Sequence, residues 1–248
     1  MQIVNEQIKY PPAPLIEPNR KGYIHLAFEC DYSPLPFYPF MSSAKKEMIR
    51  AAKEFAESLR SRKQVDRADV FRAVVRPPAK QPFLEVVRDR VHLARFDVAI
   101  LIETDGVQSA RDLRDSDAFQ QFLAQTAQLS RARHVVVAEN ARRIDEVDKT
   151  RPGVFLFNYF FAEDVNELLP VWEYTAGWFI KETDLDNSTL FMPIAGEKSN
   201  YSVINHCRWD SLPRLMPRLM FFRTIRTYVM ANFAANKILA MPILYRLA

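Results

Sequence analysis

Glycine is scarce in this chain, with five among 248 residues. A phosphate cradle made of backbone N–H groups needs several glycines close together, and these five are scattered, so P-loop and Rossmann nucleotide sites are not expected. Cysteine is scarcer still. Cys30 and Cys207 lie far apart with no CxxC spacing, which leaves neither a disulfide framework nor a cysteine zinc site and makes a reducing, cytoplasmic compartment the default. An excess of one charge is also missing. Lys plus Arg number 34 against 30 Asp plus Glu, a net charge of +4, and the signs alternate without a basic stripe interleaved with aromatics, so nucleic acid is not an expected partner. No long apolar run exists either. The most apolar stretch near the C-terminus is interrupted by Lys237, Pro242 and Arg246, which rules out an integral membrane span. The first twenty residues lack a basic region followed by an apolar one, so no signal peptide is expected.

What is present is core-forming material: 48% of residues are hydrophobic and 12% aromatic, enough for one large or two ordinary domains. Residues 1–21 hold Pro11, Pro12, Pro14 and Pro18 and read as an extended arm lying on the body. Strands are expected at 23–30, 68–76, 96–104 and 134–140, from their aromatic and β-branched content. Between them, Ser42 and Ser43 are N-cap candidates for a helix whose stripe runs Ala44, Met48, Ala51, Ala52, Phe55 and Leu59. A second helix is predicted over 117–129. Residues 77–94 read as a Pro-containing excursion with a short helical piece.

After the hydrophilic link at 141–153 the same order returns. Strands are expected at 153–161, 188–194, 201–209 and 238–247. Helices are expected over 164–183, with Asp164 as N-cap, and over most of 211–236. Two successive β-α-β-β-α-β units are the split ferredoxin-like motif, whose helices cover only one sheet face. The bare faces must be buried. The fold class is therefore α+β: two tandem ferredoxin-like units, 22–144 and 153–248, packed sheet to sheet as a pseudo-dimeric α/β barrel. Aligning the third strands sets Phe96 beside Tyr201, Val98 beside Val203 and Asp105 beside Asp210.

Two segments, FNYFFAEDVNELLPVWE (157–173) and NHCRWDS (205–211), make the chain similar to the dimeric α/β-barrel superfamily, in particular its antibiotic-biosynthesis-monooxygenase-like branch. There a first strand runs into a helix with an apolar-Trp stripe, and the third strand ends in a W-D-S type segment that opens the second helix. The resemblance covers 153–248 reasonably and 22–140 faintly. It implies a pocket between sheet and helices lined by a strand-one Asn and a strand-three Trp, positions matched here by Asn158 and Trp209. The counterparts in the first half are read as Ala27 and Thr104, so that unit is expected to be scaffold. Haem-degrading relatives add a His about ten residues beyond the Trp, where this chain has Leu219 and Met220. No cofactor is therefore expected, haem being the one candidate, without a placed axial His.

Strand alternation divides residues 201–210 into two faces. Tyr201, Val203, Asn205, Cys207 and Trp209 share the helix-covered face, and Ser202, Ile204, His206, Arg208 and Asp210 the barrel face. Asn158 and Trp209 are the candidate catalytic pair, with Trp172, Trp178, Asn205 and Cys207 as candidate pocket residues. Each has a plainer reading as core packing or a satisfied buried polar group. His206 lacks a second metal ligand at useful spacing, and whether His25 meets it across the barrel is open. Arg214, Arg218, Arg223 and Arg226 either attract an anionic ligand or membrane surface, or form a rim paired with acids. Carboxylates supply no obvious catalytic pair: Asp184 and Asp186 read as loop residues, as do Asp112, Asp115 and Asp117. The expected partner is a small hydrophobic, aromatic ligand. The expected activities are cofactor-independent monooxygenation, non-catalytic ligand binding or assembly, or chlorite-dismutase-like haem binding. A fused pair needs no second chain to complete its barrel, although a homo-oligomer is allowed.

Overall fold

In the computed structural model, which describes residues 1–33, 35–77 and 81–248, each half of the chain lays its four strands in the order fourth, first, third, second. The first half provides β1 (Gly22–Glu29), β2 (Val65–Val75), β3 (Val98–Thr104) and β4 (Ala132–Arg143). The second provides β5 (Val154–Ala162), β6 (Thr189–Pro193), β7 (Val203–Trp209) and β8 (Ile238–Leu247). The two sheets join along both edges, β2 to β8 and β4 to β6, and close an eight-stranded antiparallel barrel. Closure removes the sheet edges that an isolated ferredoxin-like unit leaves bare.

Alternation along each strand sorts the core. Phe71, Phe96, Phe155, Phe157, Tyr159 and Tyr245 point into the barrel and fill it with rings. The outward side chains meet helices: Ile24, Leu26, Val98, Ile100 and Ile102 lie in the cluster beneath α1 (Ser43–Leu59), α3 (Val107–Asp115) and α4 (Asp117–Gln125). On the other side α5 (Val165–Thr183), α6 (Leu212–Phe221), a π-helical turn (Ile225–Met230) and α7 (Ala231–Ala235) cover β5 to β8. A short α2 (Pro82–Val87) lies in the link after β2. Among the described residues no helix is long and apolar enough to cross a membrane.

Several expectations are corrected. Helix α3 occupies a stretch expected as loop, because its polar sequence VQSARDLRD buries only Ala110 and Leu113; Asp112 and Asp115 lie on it, and Asp117 opens α4. On α1, Ser42 caps as predicted and accepts a hydrogen bond from the Lys45 backbone. The buried stripe, however, is Lys45, Met48, Ala52, Phe55, Ala56 and Leu59, with Ala44 and Ala51 only half-buried. The Lys45 ammonium is enclosed because Asp97 meets it at 3.3 Å. Residues 211–236 are mostly helical, as expected, with one break where the backbone extends at Phe222 (ψ 117°). The N-terminal arm lies on the C-terminal helices, with Ile8, Tyr10, Ala13 and Leu15 packed against their core.

Candidate functional site

The second half differs from the first at one rung of its helix-covered face. Val154 pairs with Trp209 as Gly22 pairs with Thr104, so four residues on, Asn158 opposite Asn205 occupies the place of Leu26 opposite Ile100. The counterpart of Asn158 is thus Leu26, and not Ala27 as the sequence suggests, because Ala27 points into the barrel. Leu26 and Ile100 close a dry core. Two amides at the equivalent rung instead open a polar spot in an apolar layer.

A small chamber of about 30 Å3, room for about one or two water molecules, lies directly over this rung and is lined by Trp172, Ser188, Asn205 and Cys207. Leu156, Asn158, Phe179, Trp209 and Phe233 form its boundary with a larger groove of about 770 Å3 that runs beneath α6, the π-helical turn and α7. The groove exists because β8 pairs with β2 only from Leu244 onward, beyond an irregularity between Ala73 and Val75. The free edge of β8 is partly sealed by Gln81, whose amide donates to the Ala240 carbonyl at 2.6 Å and accepts from its N–H at 2.9 Å. Pro242, directly opposite Asn158, suits that bare edge because it has no N–H to satisfy. A π-helical turn, a form that recurs at functional sites, supplies Ile225, Val229 and Met230 to the far wall.

Polar groups in this space are few. Asn205 Oδ1 accepts from the Ser188 hydroxyl at 2.6 Å. The Oδ1 of Asn158, buried at the closed end of the groove, has no partner among the described residues. Leaving a buried acceptor unpaired costs roughly 1–3 kcal/mol. The Trp209 indole is committed: Nε1 donates to Thr183 Oγ1 at 3.0 Å, and Thr183 donates onward to the Phe179 carbonyl at 2.5 Å. Trp209 therefore serves as a wall and not as a donor. Burial pushes the Cys207 thiol well above its ordinary pKa, which keeps it protonated and a poor nucleophile. Trp178 lies outside both spaces; its Nε1 donates to Thr224 Oγ1 at 2.8 Å inside the helical core. Arg226, at the groove mouth, is the one charged side chain among the described lining residues. No general base is among them.

On the barrel side, the ring of His206 stacks on Phe157 at 4.4 Å and its Nδ1 donates to the Leu156 carbonyl at 3.0 Å. His25 does not reach it, since Phe157 also packs 4.8 Å from the His25 ring and separates the two. Tyr201 departs from the alternation: it precedes β7 and turns inward, 4.9 Å from the His134 ring, with its hydroxyl donating to the His92 carbonyl at 3.0 Å. Arg208 lies across Gly153, where a Cβ would come within 2.6 Å of its Nε, and pairs with Asp210 at 2.7 Å.

A second, polar cleft of about 590 Å3 lies where Trp209 meets Ser211 and Pro213. Three ion pairs line it, Arg151–Asp148 and Arg218–Asp184, both at 2.6 Å, and Arg208–Asp210, and acids outnumber arginines along its wall. This is a solvated rim. A histidine-ligated haem does not fit the groove: His25, His134 and His206 are enclosed in the barrel, and His92 faces Glu29 at 3.7 Å. Among the described residues no cluster of His, Cys, Asp and Glu could hold a metal ion.

No protein-family model and no curated protein matches the sequence. Solved structures do. The chain is similar to an anthrone oxidase-like protein, with 9% identity and a TM-score of 0.63 over 95% of this chain and 94% of that one. It is also similar to a candidate monooxygenase from Fusobacterium nucleatum subsp. nucleatum, with 8% identity and a TM-score of 0.53 over 92% of both chains. At such identities the likeness concerns architecture. The chain has the dimeric α/β-barrel fold, with both ferredoxin-like halves of the barrel supplied by one polypeptide.

Proposed function

We propose that the groove beneath α6 and the π-helical turn binds a small hydrophobic aromatic ligand, and that the protein is a cofactor-independent monooxygenase with Asn158 and Trp209 as its catalytic pair. The observation that carries this reading is the buried Asn158 amide oxygen at the end of an apolar groove, without a partner among the described residues. A phenolic or enolic hydroxyl of the ligand would satisfy it, in the manner of apolar sites with few convergent polar groups. The monooxygenase and anthrone oxidase-like names of the similar structures support the same class. The first unit acts as scaffold, and two buried free thiols, Cys30 and Cys207, fit a cytoplasmic site of action.

No general base stands among the described lining residues, and this shapes the mechanism. The substrate must be acidic enough to lose its own proton to water, and the Asn158 amide N–H stabilises the enolate or phenolate oxygen that forms. Trp209 and Phe179 flank the ring and hold it where dioxygen can react with the anion. For an activated methylene, one methylene carbon and one dioxygen give one ketone and one water. Two C–H bonds break and a C=O bond forms: the substrate is oxidised, one oxygen atom is retained and the other leaves as water with both hydrogens. No resident cofactor enters.

The test is oxygen uptake with a panel of tricyclic aromatic ketones, naphthols and hydroquinones, alongside ligand binding by tryptophan fluorescence. Asn158→Ala and Trp209→Ala are expected to lose turnover. Unchanged binding and turnover in both would sink the proposal. Binding that depends on both residues, without oxygen uptake from any ligand, would assign the groove to a non-catalytic carrier.

A further inference from the structure

The helix α6 carries apolar side chains on two separate stripes, whereas a helix resting on a soluble core needs only one. Leu212, Leu215, Met216 and Leu219 turn to the cluster around Trp209. Pro213, Pro217, Met220 and Phe221 form a second stripe that is exposed to solvent. The stripe ends in a protruding tip where the helix breaks, with Met220 49%, Phe221 76% and Phe222 37% exposed. Phe221 is the most exposed large apolar side chain among the described residues. Arginines frame it: Arg214 on one side, Arg223 and Arg226 on the other, all exposed and without a carboxylate partner among the described residues. Only Arg218 is paired, with Asp184.

Isolated surface apolar residues are ordinary, but an apolar helix face ending in two adjacent phenylalanines and ringed by unpaired arginines is the composition of an interfacial helix. The tip also stands at the groove mouth, since Met220 and Arg226 belong to both. We propose that the tip of α6 docks on a lipid bilayer carrying anionic headgroups, with Phe221 and Phe222 entering the acyl boundary and Arg214, Arg223 and Arg226 meeting the headgroups. A ligand apolar enough for the groove partitions into a bilayer, and docking sets the groove mouth against that reservoir. The surface binds lipid whether or not the groove turns a ligand over, so the two proposals fail separately.

The test uses the full chain, without ligand, in co-sedimentation with sucrose-loaded vesicles of phosphatidylcholine alone or mixed with phosphatidylglycerol. The mixed vesicles are expected to bind more tightly, with affinity falling as salt rises. Phe221→Ser with Phe222→Ser is expected to weaken binding by roughly tenfold or more, and Arg214→Gln with Arg223→Gln by roughly fivefold per arginine on mixed vesicles only. All four side chains are exposed or end a helix, and an unchanged thermal midpoint verifies folding. Failure to bind either vesicle, or binding that the phenylalanine variant leaves intact, overturns the proposal. A concentration-dependent dimer in sedimentation velocity that the same variant dissolves would also overturn it, by assigning the tip to a second copy of the chain.

Discussion

Asn158 on β5 and Asn205 on β7 face each other across one rung of the barrel, yet among the described residues only Asn205 has a side-chain partner, the Ser188 hydroxyl at 2.6 Å. The asymmetry separates a structural amide from one held in reserve, and it predicts opposite stability effects. Asn158→Leu, which restores the residue found at the equivalent Leu26, is expected to gain about 1–2 kcal/mol in urea denaturation while losing ligand binding. Asn205→Leu is expected to lose about 1 kcal/mol, because the buried Ser188 hydroxyl exchanges an acceptor at 2.6 Å for the His206 carbonyl at 3.5 Å. If Asn158→Leu proves destabilising, its amide serves the fold and not a ligand.

The buried pair of Lys45 and Asp97 predicts a rescue. Both side chains are enclosed, and Asp97 also accepts from the Cys30 and Asp31 backbones at 2.7 and 3.0 Å. Burial raises the Asp97 pKa while Lys45 opposes the shift. Lys45→Met strands a charge and is expected to cost about 3–5 kcal/mol. Adding Asp97→Asn removes the charge and keeps an acceptor for one of the two N–H groups, since Cys30 binds Oδ1 and Asp31 binds Oδ2, and should recover part of that loss in a thermal or denaturant melt.

Three barrel histidines predict the acid limb of stability. Burial, reinforced by His134 and His206, holds the pKa of His25 well below 6.5. Burial does the same for His206, with Lys149 adding to it, and lowers His134 to about 4. Below pH 6.5 the unfolded chain therefore binds protons that the folded chain refuses. Stability is full above that value and falls as pH drops from 6.5 toward 4, by about 1.4 kcal/mol per pH unit for each histidine. His206→Phe, placed among Phe71, Phe155 and Phe157, should lower the slope by one such increment. A pH-independent stability across this window would contradict the assignment.

Gly177 predicts a link between α5 and the N-terminal arm. A Cβ there would stand 2.1 Å from the Pro11 carbonyl oxygen and 3.2 Å from Tyr10 Cβ. Alanine favours a helix interior over glycine by about 1 kcal/mol, so Gly177→Ala should keep α5 while displacing the arm. Limited proteolysis within residues 1–20 is expected to speed up at least several-fold, with little change in the global melt.

Much of the fold is legible in the chain because a closed antiparallel barrel imposes period two on its strands and a helical cover imposes a period near 3.6. The division of β7 into a face with His206 and a face with Cys207 and Trp209 follows from alternation alone, while the direction of each face rests on the resemblance and agrees with the structure. Alternation fails at Tyr201, which lies outside the hydrogen-bonded ladder and is free to turn inward. Helix α3 escapes it because two buried residues give too weak a stripe. Trp178 looks as suitable for a pocket as Trp172, since a helix with aromatics all round does not disclose which of them meets Thr224 and which meets empty space.

The sequence by itself determined the strand order, the longer helices and the pairing of two similar units, because these depend on local periodicity and on the need to bury apolar faces. Only the tertiary structure decided that Asn158 lacks a partner among the described residues while Asn205 has one, that Leu26 is its counterpart, and that the groove opens where β8 loses β2 and Gln81 takes the edge. Those outcomes depend on which distant groups come within hydrogen-bonding distance, Ser188 to Asn205 and Gln81 to Ala240, and no local period in the chain encodes such meetings.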